Sequence, residues 1–182
     1  MLILNDRIPV HGHQPERIVR QLEAFIGQNP VTSLLLDLER PDNPLTQQIA
    51  AAICDALPCP VAVTEVYGKD LSCPVFLKIP PYESVGHFCE KWEGRDLWLD
   101  AAMECARVRI TEVGAEVLTA EAPADPLPYF HEGLCAHYGM VLSDDHVTFT
   151  INRDRQDVVK LLEEAEKFGV TCSVGLWQQL KE

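Results

Sequence analysis

Several features that would point to a membrane, to nucleic acid or to secretion are missing from this chain of 182 residues. Its longest apolar runs are far shorter than the roughly 20 residues that a transmembrane helix needs. The opening MLILNDRIPV has no basic region and no long apolar stretch, so no signal peptide is expected. Lys and Arg number 15 against 28 Asp and Glu, which gives a net charge of −13. Such an acidic chain repels phosphate groups, so neither nucleic acid nor a membrane is an expected partner.

The cysteine and glycine patterns argue against several classes of metal-binding and nucleotide-binding protein. The chain has no C-x-x-C pair, no G-x-G-x-x-G fingerprint and no P-loop, so zinc ribbons, dinucleotide sites and nucleotide phosphate sites lack their usual residues. Seven cysteines with irregular spacing, several of them in apolar stretches, are typical of free thiols. We therefore expect seven free thiols, a cytoplasmic location, no cofactor and no metal.

Strand and helix patterns alternate along most of the chain, which predicts a single α/β domain over residues 1–182. Helical spacing of apolar residues predicts helices at Pro15–Gln28, from Pro44 to Leu57, and at Asp154–Phe168. Short apolar runs predict the following strands: Val31–Glu39, the segment CPVAVTEVYG ending at Gly68, the segment CPVFLKIPPYE, Asp96–Met103 and the segment VTCSVGLW.

Two stretches break this alternation. Residues Arg107–Thr119 alternate about Val113-Gly114 and predict a β-hairpin, and GMVLSDDHVTFTI predicts another that turns at residues 143–146. A proline-rich loop is expected at Ala122–Phe130. The predicted fold class is therefore α/β, a small or incomplete (β/α) TIM-like barrel with inserted β-hairpins, and its site would lie at the carboxyl ends of the strands.

Acidic residues stand at these predicted strand ends. Asp37 and Glu39 alternate along one strand and share a face, and the later segment LWLDAAME carries Asp100 and Glu104. Burial and a neighbouring carboxylate would raise the pKa of Glu39 and keep it protonated, as glycosidic bond cleavage requires. The alternative is that Glu39 only pairs with a basic residue at the strand end.

The segment RIVRQLEAFIGQNPVTSLLLDLERP resembles the helix and fourth strand of family 18 glycoside hydrolases, the chitinase family, whose strand bears D-x-x-D-x-D-x-E. On this resemblance Glu39 matches the proton-donating glutamate, Asp37 the adjacent aspartate and Pro41 the following proline. Thr32 and Leu35 occupy the positions of the outer two aspartates. The segment VVKLLEEAEKFGVTCSVGLWQQL resembles the last helix and eighth strand, with Trp177 as the tryptophan beneath the sugar.

The resemblance implies a glycosidase that acts on, or binds, an N-acetylated sugar. Glu39 would protonate the glycosidic oxygen while the acetamido carbonyl of the substrate attacks the anomeric carbon, and Asp37 would hold the acetamido group. The predicted substrate-binding residues are Glu65, Tyr67, Tyr82, Asp100 and Trp177.

Two other functions remain open from the sequence. One is a barrel that binds a glycan or a protein without catalysis. The other is a metal-dependent hydrolase that begins with His11 and His13, because H-x-H after a first strand opens several metal-dependent barrels. Its further ligands would come from Glu65, His131, His137 and the Asp145-His146 pair. The oligomeric state does not follow from the sequence.

Overall fold

The structure, a computed structural model, describes residues 1–6, 14–40 and 43–175. Contacts divide it into two compact units. The first contains Met1–Leu77 and Arg95–Trp98, and the second contains Lys78–Gly94 and the described residues from Leu99 onward. Each unit is described by itself below. Among the described residues, no helix is both long enough and apolar enough to cross a bilayer.

Eleven strands and five α-helices make up the described chain. The strands are β1 Leu2–Asn5, β2 Leu34–Asp37, β3 Val61–Thr64, β4 Val75–Leu77, β5 Leu97–Asp100, β6 Glu104–Thr111, β7 Gly114–Thr119, β8 Tyr129–His131, β9 Ala136–Leu142, β10 His146–Arg153 and β11 Val170–Val174. The helices are α1 Pro15–Gln28, α2 Pro44–Ala56, α3 Glu65–Gly68, α4 Val85–Glu90 and α5 Arg155–Glu166, with a 3₁₀ turn at Glu132–Leu134.

Six strands form a sheet in the order β1-β2-β3-β4-β5-β11. The pairs from β1 to β4 are parallel, and β2 and β3 carry apolar residues on both faces because both faces are covered. In the first unit α1 and α2 pack their apolar sides into one core with these strands. Pro15 and Pro44 begin the two helices, where a missing backbone N–H costs nothing.

The described residues correct the predicted barrel. Within them the sheet has two ends, β1 and β11, and no closed barrel is formed. The mixed α/β class and the inserted hairpins are confirmed. The predicted strand CPVAVTEVYG is too long, because the chain leaves the sheet after Thr64 and Glu65–Gly68 forms a helical turn. The sequence analysis also missed α4, which is only six residues long.

The second unit is built on an antiparallel sheet in the order β7-β6-β10-β9-β8. The two predicted hairpins are β6–β7 and β9–β10. Helix α5 follows β10 directly and starts at a capping box, in which the Asp154 carboxylate accepts the N–H groups of Gln156 and Asp157. Gly169, with a φ of 87°, ends the turn after this helix in a backbone conformation that favours glycine.

A buried arginine holds three chain segments of the second unit together. The Arg153 side chain is only 1 % exposed, and its guanidinium donates hydrogen bonds to the carbonyl oxygens of Ile79, Leu134 and Cys135. These carbonyls come from the loop after β4 and from the turn that precedes β9. Because guanidinium has five N–H donors in a rigid plane, one side chain satisfies three buried acceptors.

The cysteines differ from the expectation of seven free thiols. Cys54 and Cys73 form a disulfide in the first unit, with their Cα atoms 6.4 Å apart, so the prediction is wrong for this pair. The other five form no disulfide: Cys59, Cys89, Cys105, Cys135 and Cys172. Sequence spacing did not reveal the pair, because folding brings α2 beside the loop before β4. The cytoplasmic location rested on unpaired cysteines and stays a prediction.

Thiol titration measures this pairing directly. Denatured, unreduced protein should show five free thiols, and the count should rise to seven after reduction. The Cys54→Ser variant should show six thiols with or without reductant, because its Cys73 has lost its partner. Seven thiols in the unreduced wild type would contradict the disulfide.

Replacement of the buried Arg153 tests its hydrogen bonds to the carbonyls of Ile79, Leu134 and Cys135, called the arginine clamp below. Arg153→Met should lower the free energy of unfolding by about 3 kcal/mol or more, because two buried carbonyls and one part-buried carbonyl lose their donor. The control is Arg155→Met, at an exposed position in the first turn of α5, which should change stability by less than about 0.5 kcal/mol. Urea denaturation of both variants gives the comparison, and equal midpoints would contradict the clamp.

Candidate functional site

A cavity of about 400 Å³ lies in the second unit, on the side of β6 and β7. One wall is the loop after β4, which contributes Lys78, the Pro80-Pro81 pair and Tyr82. The other wall is formed by two strands that supply Glu104, Cys105, Ala106, Val117, Leu118 and Thr119. The volume falls within the range of small-molecule sites, and a few polar groups stand among apolar ones, as such sites require.

Glu104 is the titratable group that distinguishes this cavity. Burial is the largest influence on its carboxyl and raises its pKa. The charge of Asp100 raises the pKa further, whereas the positive charges of Arg153 and Lys78 lower it without cancelling the effect of burial. Glu104 therefore keeps its proton to a higher pH than an exposed glutamate does, and the protonated carboxyl is a hydrogen-bond donor.

The fold explains why Glu104 stands where it does. It is the first residue of β6 and pairs with Arg153 at the end of β10, so the arginine clamp lies at the same level of the sheet. Arg153 also holds the carbonyl of Ile79, which is the residue between Lys78 and Pro80 in the opposite wall. One buried side chain thus fixes the spacing between the two walls of the cavity.

One predicted substrate-binding residue lines this cavity, and a second lies near enough to act on Glu104 through its charge. Tyr82 is half-buried and lines the cavity, and Asp100, the last residue of β5, acts on Glu104 through its charge. Glu104 was named in the sequence analysis but not selected as a site residue. The sequence feature that could have pointed to Glu104 is the pair of carboxylates, Asp100 and Glu104, four residues apart in LWLDAAME. The sequence does not reveal which of the two is more buried.

The predicted acid Glu39 lies in the first unit, in the loop after β2. Three neighbours hold this loop: the Asp6 carboxylate accepts the backbone N–H groups of Glu39 and Arg40 at 3.2 and 2.9 Å, Thr64 donates to the Leu38 carbonyl, and Tyr67 donates to the Arg40 carbonyl. The side chain of Glu39 is exposed. The expectation of a buried Glu39 is therefore wrong, because the chain turns outward one residue after the buried Leu38.

The remaining predicted residues are distributed as follows. Asp37 and Glu65 are half-buried in the first unit, at the end of β2 and the start of α3. Tyr67 is buried and its hydroxyl holds the loop that carries Glu39. Pro41, Trp177, His11 and His13 lie outside the described residues, so the structure does not test the roles predicted for them.

The histidines proposed as metal ligands occupy other surroundings. His146 stands at the β9–β10 turn, where its Nδ1 is 2.7 Å from the Asp145 carboxylate. His137 Nδ1 is 2.7 Å from Oδ2 of the fully buried Asp157, whose Oδ1 lies 3.4 Å from Lys160 Nζ. In the described part of the chain, His137, Asp154 and Asp157 are the one group whose ligand atoms converge. Lys160 already supplies a positive charge there, so we propose no metal.

Comparison with known proteins gives one distant likeness. No family model and no curated protein matches the chain. Its structure is similar to a crystal structure of the C-terminal domain of a putative chitinase from Desulfitobacterium hafniense DCB-2, with a TM-score of 0.48 and 8 % identity. The match covers 96 % of this chain and 72 % of that one. A likeness this distant assigns no family, no residue and no activity to this chain.

The raised pKa of Glu104 predicts a pH dependence of stability. A group whose pKa is raised on folding binds its proton more tightly in the native state. The contribution of Glu104 to stability is therefore largest below its unfolded pKa of about 4.3 and is lost as the pH rises through its folded pKa. Glu104→Gln removes this loss. The variant should be at least as stable as the wild type at pH 7, and the difference in urea midpoint should close below about pH 4. The expected difference in urea midpoint, variant minus wild type, is larger at about pH 7 than at about pH 4. A smaller difference at the higher pH would contradict the raised pKa of Glu104.

Proposed function

We propose that the cavity beside Glu104 binds a small carbohydrate that carries an N-acetyl group. The observation that carries the proposal is the half-buried carboxyl of Glu104, with its raised pKa, in the wall of a cavity of about 400 Å³. A protonated carboxyl donates a hydrogen bond to a hydroxyl or acetamido oxygen, which are the acceptors that such a sugar offers.

The other lining groups suit the same ligand. The Tyr82 ring and the Pro80-Pro81 pair offer apolar surface for the non-polar face and the methyl group of an acetylated sugar. Lys78 adds an ammonium donor on the same wall.

Hydrolysis of a glycosidic bond is the second candidate function. It needs a carboxyl that donates a proton and a second carboxylate. Burial and the charge of Asp100 both raise the pKa of Glu104, which favours Glu104 as the donor. Glu104 would donate its proton to the glycosidic oxygen. Glu39 with Asp37 stays the pair predicted from the sequence, and the exposed position of Glu39 makes it the weaker candidate for a buried acid.

Binding is tested first, with N-acetylglucosamine as the probe and glucose as the comparison. Isothermal titration of the wild type should give saturable binding that is stronger for the acetylated sugar. Glu104→Leu keeps the approximate size but removes the donor, so we expect affinity to fall about tenfold or more. Glu104→Gln retains an N–H donor and should bind within about threefold of wild type. The absence of binding by a folded wild type would overturn the proposal.

Catalysis is tested separately, with a chromogenic N-acetylglucosaminide. Glu104→Gln should abolish turnover while it keeps binding, because an amide does not transfer the proton. Glu39→Gln is the matched variant in the first unit, and it should leave turnover unchanged. Loss of turnover in Glu39→Gln alone would restore the acid predicted from the sequence. Binding without turnover in the wild type would leave the carbohydrate-binding function and reject the glycosidase.

A further inference from the structure

A disulfide joins helix α2 to the loop at residues 69–74 in the first unit. Its cysteines, Cys54 and Cys73, are 19 residues apart in the chain, and their Cα atoms lie 6.4 Å apart. The other five cysteines form no disulfide. Folds that depend on disulfides are small and rich in paired cysteines, whereas the first unit has an apolar core of its own. The fold of this unit therefore does not need the pair as a framework.

The loop that carries Cys73 is also held by an arginine. Arg95 donates hydrogen bonds to three carbonyl oxygens of this part of the chain, those of Gly68, Leu71 and Cys73. Hydrogen bonds from a guanidinium do not depend on the state of the sulfur atoms. Arg95 therefore keeps the backbone of Cys73 in place whether or not the disulfide is formed.

The helix that carries Cys54 is fixed in a similar way. Ile53, the preceding residue of α2, is 1 % exposed and belongs to the core of the first unit. On the same helix, Nε2 of Gln47 donates a hydrogen bond of 3.1 Å to the Asp70 carboxylate in the loop. Helix and loop thus meet at a second point besides the disulfide.

Both cysteines of the pair are accessible to solvent. Cys54 and Cys73 are partly exposed, whereas Cys89 and Cys135 are buried. In thiol–disulfide exchange a thiolate must reach a sulfur atom of the disulfide, so accessible disulfides are the ones that exchange readily.

We propose that Cys54 and Cys73 form a redox-active pair that exchanges between disulfide and dithiol with a small thiol, and that the contacts of Arg95 and Gln47 keep them together in the dithiol form. In reduction, the thiolate of the small thiol attacks one sulfur, forms a mixed disulfide and releases the other cysteine as a thiolate. A second small thiol then attacks the mixed disulfide, so a small disulfide leaves and both cysteines end as thiols. Oxidation by the small disulfide is the reverse of these steps.

The two contacts explain why the oxidation step is intramolecular. A disulfide needs Cα atoms about 4.4–6.8 Å apart, and the separation of 6.4 Å is within this range. A cysteine that is held beside a mixed disulfide attacks it faster than a thiol from solution does, because the two groups need not first meet by diffusion. The mixed disulfide should therefore not accumulate during oxidation of the wild type.

Equilibration with mixtures of reduced and oxidised glutathione tests the exchange in the intact chain. Alkylation and mass spectrometry should show Cys54 and Cys73 passing together from disulfide to dithiol, with the same midpoint from either direction. Circular dichroism of the reduced protein should match that of the oxidised protein. Reduction that occurs only in denaturant, reduction that unfolds the protein, or oxidation that pairs either cysteine with Cys59 would overturn the proposal.

Two neighbouring glutamines of α2 provide a matched test of the contacts. Gln47→Leu removes the hydrogen bond to Asp70 and should slow ring closure by oxidised glutathione about twofold or more. Gln48→Leu, at the next exposed position of the helix, should leave the rate unchanged. Equal rates for the two variants would overturn the proposal, and circular dichroism confirms that both are folded.

Replacement of the arginine should have a larger effect. Arg95→Met removes three hydrogen bonds from the loop, so we expect closure to slow about tenfold or more and the glutathione adduct of the protein to accumulate. Cys59→Ser is the control for the other partly exposed cysteine of the first unit, and it should close at the rate of the wild type. A folded Arg95→Met variant that closes as fast as the wild type would contradict the proposal.

Discussion

The guanidinium of Arg153 is the group on which the architecture of the second unit depends. It is buried with three hydrogen bonds to carbonyl oxygens of segments that are far apart in sequence. Burial lowers the pKa of Arg153, and the charge of Glu104 opposes that effect, so the cation and the carboxyl of the cavity are linked. Burial of a charge is costly unless its donors are satisfied. The three carbonyls meet that condition and, in doing so, fix the loop that forms one wall of the candidate site.

In the first unit another arginine also donates hydrogen bonds to several backbone carbonyls. Arg95 donates hydrogen bonds to the carbonyl oxygens of Gly68, Leu71 and Cys73, and so it holds the connection between α3 and β4. The loop after β2 is held instead by the Asp6 carboxylate, which accepts two backbone N–H groups. In both units, backbone groups of loops without regular pairing form hydrogen bonds to one charged side chain.

Local sequence patterns predicted most helices and strands, but they did not predict which distant segments pair with one another. The helix Pro15–Gln28 was predicted with its observed bounds, and both hairpins were predicted from their alternation and their turns. The open sheet and the disulfide were not, because each depends on which segments become neighbours. Periodicity records how one element is buried, and it carries no information on the order of strands in a sheet.

The candidate site shows the same limit in chemical terms. A glycosidase acid needs a desolvated carboxyl close to a second carboxylate, and the sequence predicted Glu39 with Asp37 for this role. The structure meets these requirements at Glu104 with Asp100, while Glu39 is exposed. Alternation along β2 places residues on a face correctly, but it stops at Asp37, where the strand ends. The Lys78–Tyr82 loop that forms the other wall of the cavity is distant from Glu104 in sequence, so the surroundings of this carboxyl depend on the tertiary fold.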